Sequence, residues 1–227
     1  MNPLPNKNVN AMELISSCDA FSGLSEVDVK FLASASVVQS FARGDVLIHK
    51  GSRARGFYII ISGVLRQEMT DENGEIITIR RVFKGKDIGL QSLLGVGASG
   101  SNIAAASKAS VLFIPRATFE TIFPKKDTIG YTLLALASKQ LFHHESLIAA
   151  FSSLDVAGRV RFFLRESSFP IADGRAIVPG RLSVQELSSM VGASRELVGR
   201  CVRDLKAAGL VKTNDRGEMV LARDLLS

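Results

Sequence analysis

The chain has 227 residues, of which 46% are hydrophobic, and its formal net charge is +6. This length and apolar content are enough for one large domain or two modest domains with their own cores. The positive charge suits a polyanionic partner, but ordinary proteins often carry a similar charge. No apolar run is long enough to cross a membrane, and residues 1–10 lack the apolar centre of a signal peptide. We therefore expect no membrane partner. The two cysteines, Cys18 and Cys201, lie in different parts of the chain, so we expect a reduced, cytoplasmic protein.

The first half of the chain is predicted to contain helices followed by a β-domain. Residues 11–35 have the apolar spacing of helices, and residues 41–115 consist of short β-type runs separated by glycines. Asn73-Gly74 lies between two such runs and predicts a hairpin turn. Many short strands at this spacing predict a sandwich or small barrel, and a double Greek-key jelly roll fits best. The helical residues predicted to face inward are Leu14, Ile15, Val27, Phe31 and Leu32, and the clearest strands are residues 57–61, 75–80 and 111–114.

A long helix is predicted over residues 128–154, where no proline occurs and the only glycine is Gly130. Its apolar positions repeat in alternating steps of four and three residues, which is the a/d pattern of a coiled coil. A second stripe of Leu134, Leu141 and Ile148 lies on the adjacent side. Two stripes suit a helix that packs on its own domain and on a partner helix at once, but they also suit a buried helix of a monomer.

Residues 182–211 predict two short helices joined by a tight turn at Gly192. Apolar residues recur at helical spacing in both helices, and Ser194 stands where an N-cap residue is expected. The outer face of the second helix is polar and mostly cationic from Arg195 onwards. This pattern is typical of a helix-turn-helix, whose second helix enters the major groove of DNA. We therefore expect double-stranded DNA as a partner.

A helix-turn-helix protein needs two copies of its reading helix, held about one DNA turn apart. This requirement favours a homodimer over a monomer, and the long helix carries the heptad pattern that would join the two chains. We predict that the dimer interface follows the first stripe, which consists of Leu133, Leu136, Gln140, His143 and Leu147.

Several motifs, taken in order along the chain, resemble the Crp/Fnr family of bacterial transcription regulators. Leu154-Asp-Val-Ala-Gly-Arg159 resembles the family's hinge, and Gly192-Ala-Ser-Arg-Glu-Leu-Val-Gly-Arg200 resembles its recognition helix. Gly85-Lys-Asp-Ile-Gly-Leu-Gln-Ser-Leu-Leu94 and Leu112-Phe-Ile-Pro-Arg116 resemble its nucleotide-pocket segment and the strand that follows. The resemblance spans residues 12–222 and implies an α+β protein with RNA polymerase as a further partner. The implied domains are N-terminal helices with a cyclic-nucleotide-binding-like jelly-roll barrel (1–126), a dimerisation helix and hinge (127–154), and a winged helix-turn-helix (155–227).

The resemblance of the recognition helix assigns roles in DNA binding to individual side chains. Arg195 and Arg200 would each contact the O6 and N7 edge of a guanine, and Glu196 would accept a hydrogen bond from a cytosine amine. The implied DNA site is a palindrome with TGTGA-like halves about one turn apart. The residues expected to hold phosphates rather than bases are Ser183, Gln185, Ser194, Arg203 and Lys206.

The residues that bind a cyclic nucleotide in the family are absent from this chain. In such members a glutamate after the second glycine of the pocket segment holds the ribose hydroxyl, and a later arginine grips the cyclic phosphate. Here the glutamate position is Leu90, and residues 95–102 contain no basic residue, with Ser99 or Gly100 at the arginine position. We therefore expect that cyclic AMP is not the effector. The residues of the candidate effector pocket are Leu90, Gln91, Ser99, Ser101, Gln140 and His144.

Other effectors stay open. A glycine-serine loop can bind a phosphate through backbone N–H groups, some relatives use a cyclic dinucleotide, and a regulator without any effector is equally compatible. Haem or a metal held by His49, His143 or His144, and a redox role for Cys18, are further hypotheses. Two cysteines exclude an iron–sulfur centre that needs four.

No catalytic motif is present, since the chain lacks a P-loop and a nucleophile elbow. Of its three histidines, His143 and His144 are neighbours, which argues against a catalytic triad. We expect neither enzyme activity nor a bound cofactor. The alternative function is a nucleotide- or cyclic-dinucleotide-binding sensor module whose C-terminal domain serves protein contacts. The cationic face that starts at Arg195 favours DNA, because a domain for protein contacts has no need of arginines there.

Overall fold

The computed structural model describes residues 10–21, 23–53, 55–90, 98–122 and 127–226, and for residues 122, 127–133, 135, 136 and 139 it describes the backbone alone. The chain divides into two compact units. One is Met1–Arg66 with Val82–His143, and the other is Gln67–Arg81 with His144–Ser227. This division falls inside the long helix, and the domain boundaries predicted at residues 126 and 154 stay predictions.

Two short helices precede the β-domain. The prediction of inward-facing residues is confirmed for Ile15 and Leu32, which are buried, and for Leu14, which packs against the same core. It is wrong for Val27 and Phe31, which are 76% and 42% exposed. These two residues are four positions apart and therefore share one face of their helix, while Leu32 belongs to the face that is buried. The elements are α1 (Ala11–Ser16), a 3-10 turn (Asp19–Phe21) and α2 (Glu26–Ser34).

Eight strands follow in the described residues and form two four-stranded sheets, ordered β1-β8-β3-β6 and β2-β7-β4-β5. Most neighbours in these sheets are distant in sequence, as expected for Greek-key crossings. Leu112 of β8 lies opposite Val38 of β1 and Ile59 of β3, in antiparallel register. The predicted β-sandwich and its three clearest strands are confirmed. The strands are β1 (Val37–Phe41), β2 (Val46–Ile48), β3 (Gly56–Ser62), β4 (Val64–Thr70), β5 (Ile76–Phe83), β6 (Asp87–Ile88), β7 (Asn102–Ala105) and β8 (Ala109–Pro115).

Two glycines allow strand β3 to lie very close to its neighbours. A Cβ atom on Gly56 would stand 2.1 Å from the carbonyl oxygen of Ile114, and one on Gly89 would stand 2.5 Å from the carbonyl oxygen of Gly56. Gly89 also has a φ of 107°, a conformation that favours glycine. The next residue, Leu90, enters the core, where its cluster includes Phe57, Leu112 and Phe119.

After the β-domain come a short helix, α3 (Arg116–Ile122), and a long helix, α4 (Asp127–Ser153). The long helix agrees with its predicted bounds to within one residue at each end. Three apolar residues spaced seven apart on α4 are exposed to water: Leu134 (66%), Leu141 (62%) and Ile148 (67%). Among the residues of the predicted first stripe, Gln140, His143 and Leu147 are half-buried, and the side chains of Leu133 and Leu136 lie outside the described set.

The C-terminal part of the second unit packs four helices and a small sheet around one core. The sheet has the order β11-β12-β10-β9, and Ile177 of β10 lies opposite both Phe169 and Val220. Val160, Leu187 and Val198 bring the helices into the shared core. The elements are α5 (Val156–Glu166), β9 (Phe169–Pro170), a 3-10 turn (Ala172–Gly174), β10 (Ala176–Val178), α6 (Val184–Val191), α7 (Arg195–Ala207), β11 (Val211–Thr213), β12 (Met219–Leu221) and α8 (Arg223–Leu226).

Candidate nucleic-acid interface

Helices α6 and α7 form the predicted helix-turn-helix. Helix α6 ends at Gly192, which has a φ of 66° and a ψ of 47° and donates its N–H to the carbonyl oxygen of Ser188. Such a left-handed cap is typical of glycine and turns the chain sharply. Ser194 then caps α7, since its hydroxyl oxygen accepts a hydrogen bond from the N–H of Leu197 at 3.3 Å. The predicted turn and the predicted N-cap are both confirmed.

One face of α7 is buried against the rest of its unit. Val198 and Val202 are buried in the core, and Cys201 and Leu205 pack against it. Gly199 is buried too, and a Cβ atom there would lie 3.6 Å from Val184 of α6. The apolar face fixes which side of α7 is presented to solvent.

The predicted base-reading residues of α7 are all exposed. Arg200 Nη2 donates to Glu196 Oε1 at 3.1 Å, one helical turn apart. Arg195 Nη2 lies 3.9 Å from Oε2 of Glu75, which belongs to the turn between β4 and β5. Glu196 and Arg200 therefore share one exposed side of α7, while Arg195 is exposed at the first residue of the helix.

The residues predicted to hold phosphates are exposed on the two helices or at their N-caps. Ser183 caps α6 by accepting a hydrogen bond from the N–H of Glu186 at 3.1 Å, as Ser194 does for α7. A serine hydroxyl that accepts one bond still has a proton to donate to a phosphate. Gln185, Arg203 and Lys206 are exposed as well. Their contacts with DNA stay predictions.

Two residues near this surface carry no signal in the sequence. Arg81 of β5 is buried, and its Nε lies 3.4 Å from Glu186 Oε1 on α6. Burial lowers the pKa of the Arg81 guanidinium, and the carboxylate of Glu186 opposes that shift. The other residue is Glu75, the partner of Arg195. Both contacts join segments that are far apart in the chain, so periodicity and spacing could not reveal them.

The candidate effector residues have varied surroundings. Leu90 is only 3% exposed and is a core residue of the first unit. Ser99 exchanges backbone hydrogen bonds with Gly51 and Ser52 at 2.8 Å, and its hydroxyl donates to the carbonyl of Ser101 at 2.7 Å. Gln91 lies outside the described residues. Gln140 is half-buried in the first unit and His144 is exposed in the second, so the pocket stays a prediction.

The surroundings of Cys18 oppose a reactive thiolate. The pKa of this thiol is raised to about 12, mainly by burial and in smaller part by the negative charge of Asp87. A neutral thiol is a poor nucleophile. Within the described ranges, no cluster of three or more histidine, cysteine or acidic residues is arranged to hold a metal ion. No helix in the described part of the chain is both long and apolar enough to span a membrane.

Comparison with known families and proteins identifies both halves of the chain. Residues 38–126 match the cyclic nucleotide-binding domain, and residues 158–227 match the Crp-like helix-turn-helix domain. The cAMP-activated global transcriptional regulator CRP of Pasteurella multocida is 26% identical over 185 residues, which cover 79% of this chain and 87% of the relative. The global nitrogen regulator of Nostoc sp. is 24% identical, with 79% and 83% covered.

Solved structures show the same fold. FixK2 from Bradyrhizobium japonicum superimposes with a TM-score of 0.74 at 20% identity, covering 84% of this chain and 95% of that structure. The c-di-GMP-responsive global regulator CLP of Xanthomonas campestris gives a TM-score of 0.66 at 20% identity, with 87% and 99% covered. A sandwich of the cyclic-nucleotide-binding type followed by a Crp-like helix-turn-helix is thus established by sequence and by fold. The chain belongs to the Crp/Fnr family and is a DNA-binding transcription regulator.

Proposed function

We propose that the protein is a homodimeric regulator that reads a palindromic, TGTGA-like DNA site and is not controlled by cyclic AMP. The observation that carries this proposal is helix α7, whose apolar residues are buried in the core while Arg195, Glu196 and Arg200 are exposed to solvent. In this proposal the protein acts in the cytoplasm together with RNA polymerase and catalyses no reaction.

The outer face of α7 has the chemistry needed to read base edges. A guanidinium can donate two hydrogen bonds to guanine O6 and N7, and a carboxylate can accept one from a cytosine amine. Arg195 and Arg200 supply the donors, and Glu196 supplies the acceptor. The hydrogen bond between Arg200 and Glu196 keeps these two side chains on the same face. The proposal assigns the DNA phosphates to five other exposed residues, namely Ser183, Gln185, Ser194, Arg203 and Lys206.

The exposed stripe of α4 supports a homodimer and changes the proposed seam. Leu134, Leu141 and Ile148 repeat every seven residues on a helix surface that is open to water. Exposed apolar residues spaced seven apart fill one of the two heptad positions at which a two-stranded coiled coil buries its seam. We therefore place the interface on this second stripe, because Leu147 of the first stripe packs against the core of its own unit. A two-fold dimer presents two reading helices and so requires a palindrome.

The surroundings of Leu90 support independence from cyclic AMP. Its side chain is enclosed by core residues and offers no group that could bind a ribose hydroxyl. Residues 95–102 contain no cation for the cyclic phosphate, and a buried phosphate without such a partner is costly. The Pasteurella relative is named as cAMP-activated. Leu90 and the segment 95–102 are the reasons why we do not extend that property to this chain.

Selection from random DNA followed by affinity measurements tests the base-reading assignment. Arg195→Ala should weaken binding to the selected operator by about 1–3 kcal/mol and flatten the preference at one base. The matched control is Lys206→Ala, which should weaken binding to all sequences about equally and reduce the salt dependence. A selection that returns no guanine-containing palindrome contradicts the assignment, and failure to bind any DNA favours a sensor with protein partners.

Calorimetry tests the effector. Titration of micromolar protein with cyclic AMP should give no saturable heat, and operator titrations with and without the nucleotide should overlay. One tight cyclic-AMP site per subunit, or a large rise in operator affinity, would overturn this part of the proposal. Cyclic di-GMP is the comparison ligand, since CLP is described as responsive to it.

A further inference from the structure

The turn between β4 and β5 is acidic and well ordered by its own hydrogen bonds. We call residues 71–75 the hairpin tip; it carries Asp71, Glu72 and Glu75. The Asp71 carboxylate accepts hydrogen bonds from the N–H groups of Asn73 (2.9 Å) and Glu75 (2.8 Å), and the Asp71 N–H donates to the Glu75 carbonyl. These bonds fix the backbone of Glu75 relative to its strands.

The base of the same hairpin is held to the helix-turn-helix. Arg81 is 7% exposed, and its Nε lies 3.4 Å from Glu186 Oε1 in the first turn of α6. A buried cation is costly unless an anion lies close to it, so this ion pair favours a docked hairpin. The hairpin residues 67–81 and the helix-turn-helix belong to the same compact unit.

The hairpin tip reaches the first residue of the recognition helix. Glu75 Oε2 lies 3.9 Å from Arg195 Nη2, and both side chains are largely exposed. An exposed ion pair is weak by itself and is screened by salt. If Arg195 reads a base edge, a carboxylate this close to its guanidinium also comes near the DNA phosphates, and like charges repel each other.

We propose that the hairpin tip is an intramolecular competitor of DNA. The Glu75 carboxylate forms an ion pair with the guanidinium of Arg195. The ion pair between Arg81 and Glu186 holds the hairpin against the helix-turn-helix. Operator binding then requires Arg195 to exchange a carboxylate for a guanine edge. This inference rests on the proposed base-reading role of Arg195.

Operator affinity of charge-neutral variants tests the competition. Glu75→Gln should bind the selected operator about two- to fivefold more tightly than wild type, the range that an exposed ion pair can supply. The matched control is Glu72→Gln, which removes the same charge from the same tip and should leave the affinity close to that of wild type. The gain of Glu75→Gln should shrink as salt is raised.

We call the ion pair between Arg81 and Glu186 the anchor of the hairpin. The anchor is tested by the double variant Arg81→Met with Glu186→Gln, which removes both charges and so leaves no buried charge without its partner. Its operator affinity should rise at least as much as that of Glu75→Gln, and thermal unfolding checks that it folds. A second readout is hydrogen exchange in residues 67–81 of wild type. Exchange there should become faster when operator DNA is added, because the hairpin leaves the helix-turn-helix.

The outcomes separate this inference from the proposed function. The competition is wrong if Glu75→Gln has the same operator affinity as Glu72→Gln and the anchor variant has the same affinity as wild type. The base-reading role still stands in that case if Arg195→Ala loses operator binding. Hairpin exchange that is unchanged by operator also contradicts the competition. If no variant binds any DNA, both proposals are wrong.

Discussion

At the scale of single residues, Glu218 shows how one carboxylate stabilises the turn between β11 and β12. Its Oε1 accepts from the N–H of Gly180 at 2.9 Å, and its Oε2 accepts from Asn214 Nδ2 at 3.1 Å. The hydrogen bond from Gly180 is the main cause that lowers the pKa of Glu218, and the bond from Asn214 adds to it. The charged carboxylate therefore ties the loop before α6 to the turn between β11 and β12.

We expect Glu218→Gln to lower the free energy of unfolding by about 1 kcal/mol at neutral pH, since charge-assisted hydrogen bonds are replaced by neutral ones. The lowered pKa gives the sign: the stabilisation is present above the ordinary carboxyl pKa and is lost as pH falls through the folded-state pKa. Urea unfolding at neutral and acidic pH should show the gap between wild type and variant closing in acid. Asp215→Asn, in the same turn, is the control, and a gap that is constant with pH would contradict this account.

At the scale of elements, the turn at Gly192 determines how α7 leaves α6. Gly192→Ala should lower the free energy of unfolding by about 1 kcal/mol, because an alanine resists the left-handed conformation. An added Cβ would also lie 3.2 Å from the Phe151 ring. Gly192→Asn separates the two causes, as asparagine tolerates this conformation but also has a Cβ. Urea unfolding should rank the proteins wild type, Asn, Ala, and equal losses in both variants would assign the effect to the ring contact.

At the scale of the whole molecule, dimer formation should depend on the exposed stripe of α4. Replacing Leu141 and Ile148 with glutamate should produce monomers in sedimentation at micromolar concentration, because like charges would face each other across the seam. The double variant should bind the palindromic operator about 100-fold more weakly, since linkage of two heads is lost. Ala149→Glu, about 100° around the same helix, is the control. An unchanged dimer would place the interface elsewhere, the first stripe included.

The sequence by itself determined features that depend on near neighbours in the chain. The turn at Gly192, the cap at Ser194, the bounds of α4 and the hairpin turn at Asn73-Gly74 all follow from local backbone preference, capping or short-range periodicity. Each of these signals lies within about one helical turn or one hairpin, so the residues that cause the structure are adjacent to it. The order of such elements, together with the resemblance of several motifs to the Crp/Fnr family, was enough to predict the fold.

Only the tertiary structure decided which faces are covered and which charges meet. Periodicity marks two stripes on α4 and the apolar pair Val27 and Phe31 on α2, but burial depends on what packs against each face. The second stripe of α4 and the pair on α2 are exposed. The proximity of Glu75 to Arg195 and of Arg81 to Glu186 joins a hairpin of the β-domain to helices late in the chain. Contacts of this kind arise when distant segments fold together, and no pattern of neighbouring residues specifies them.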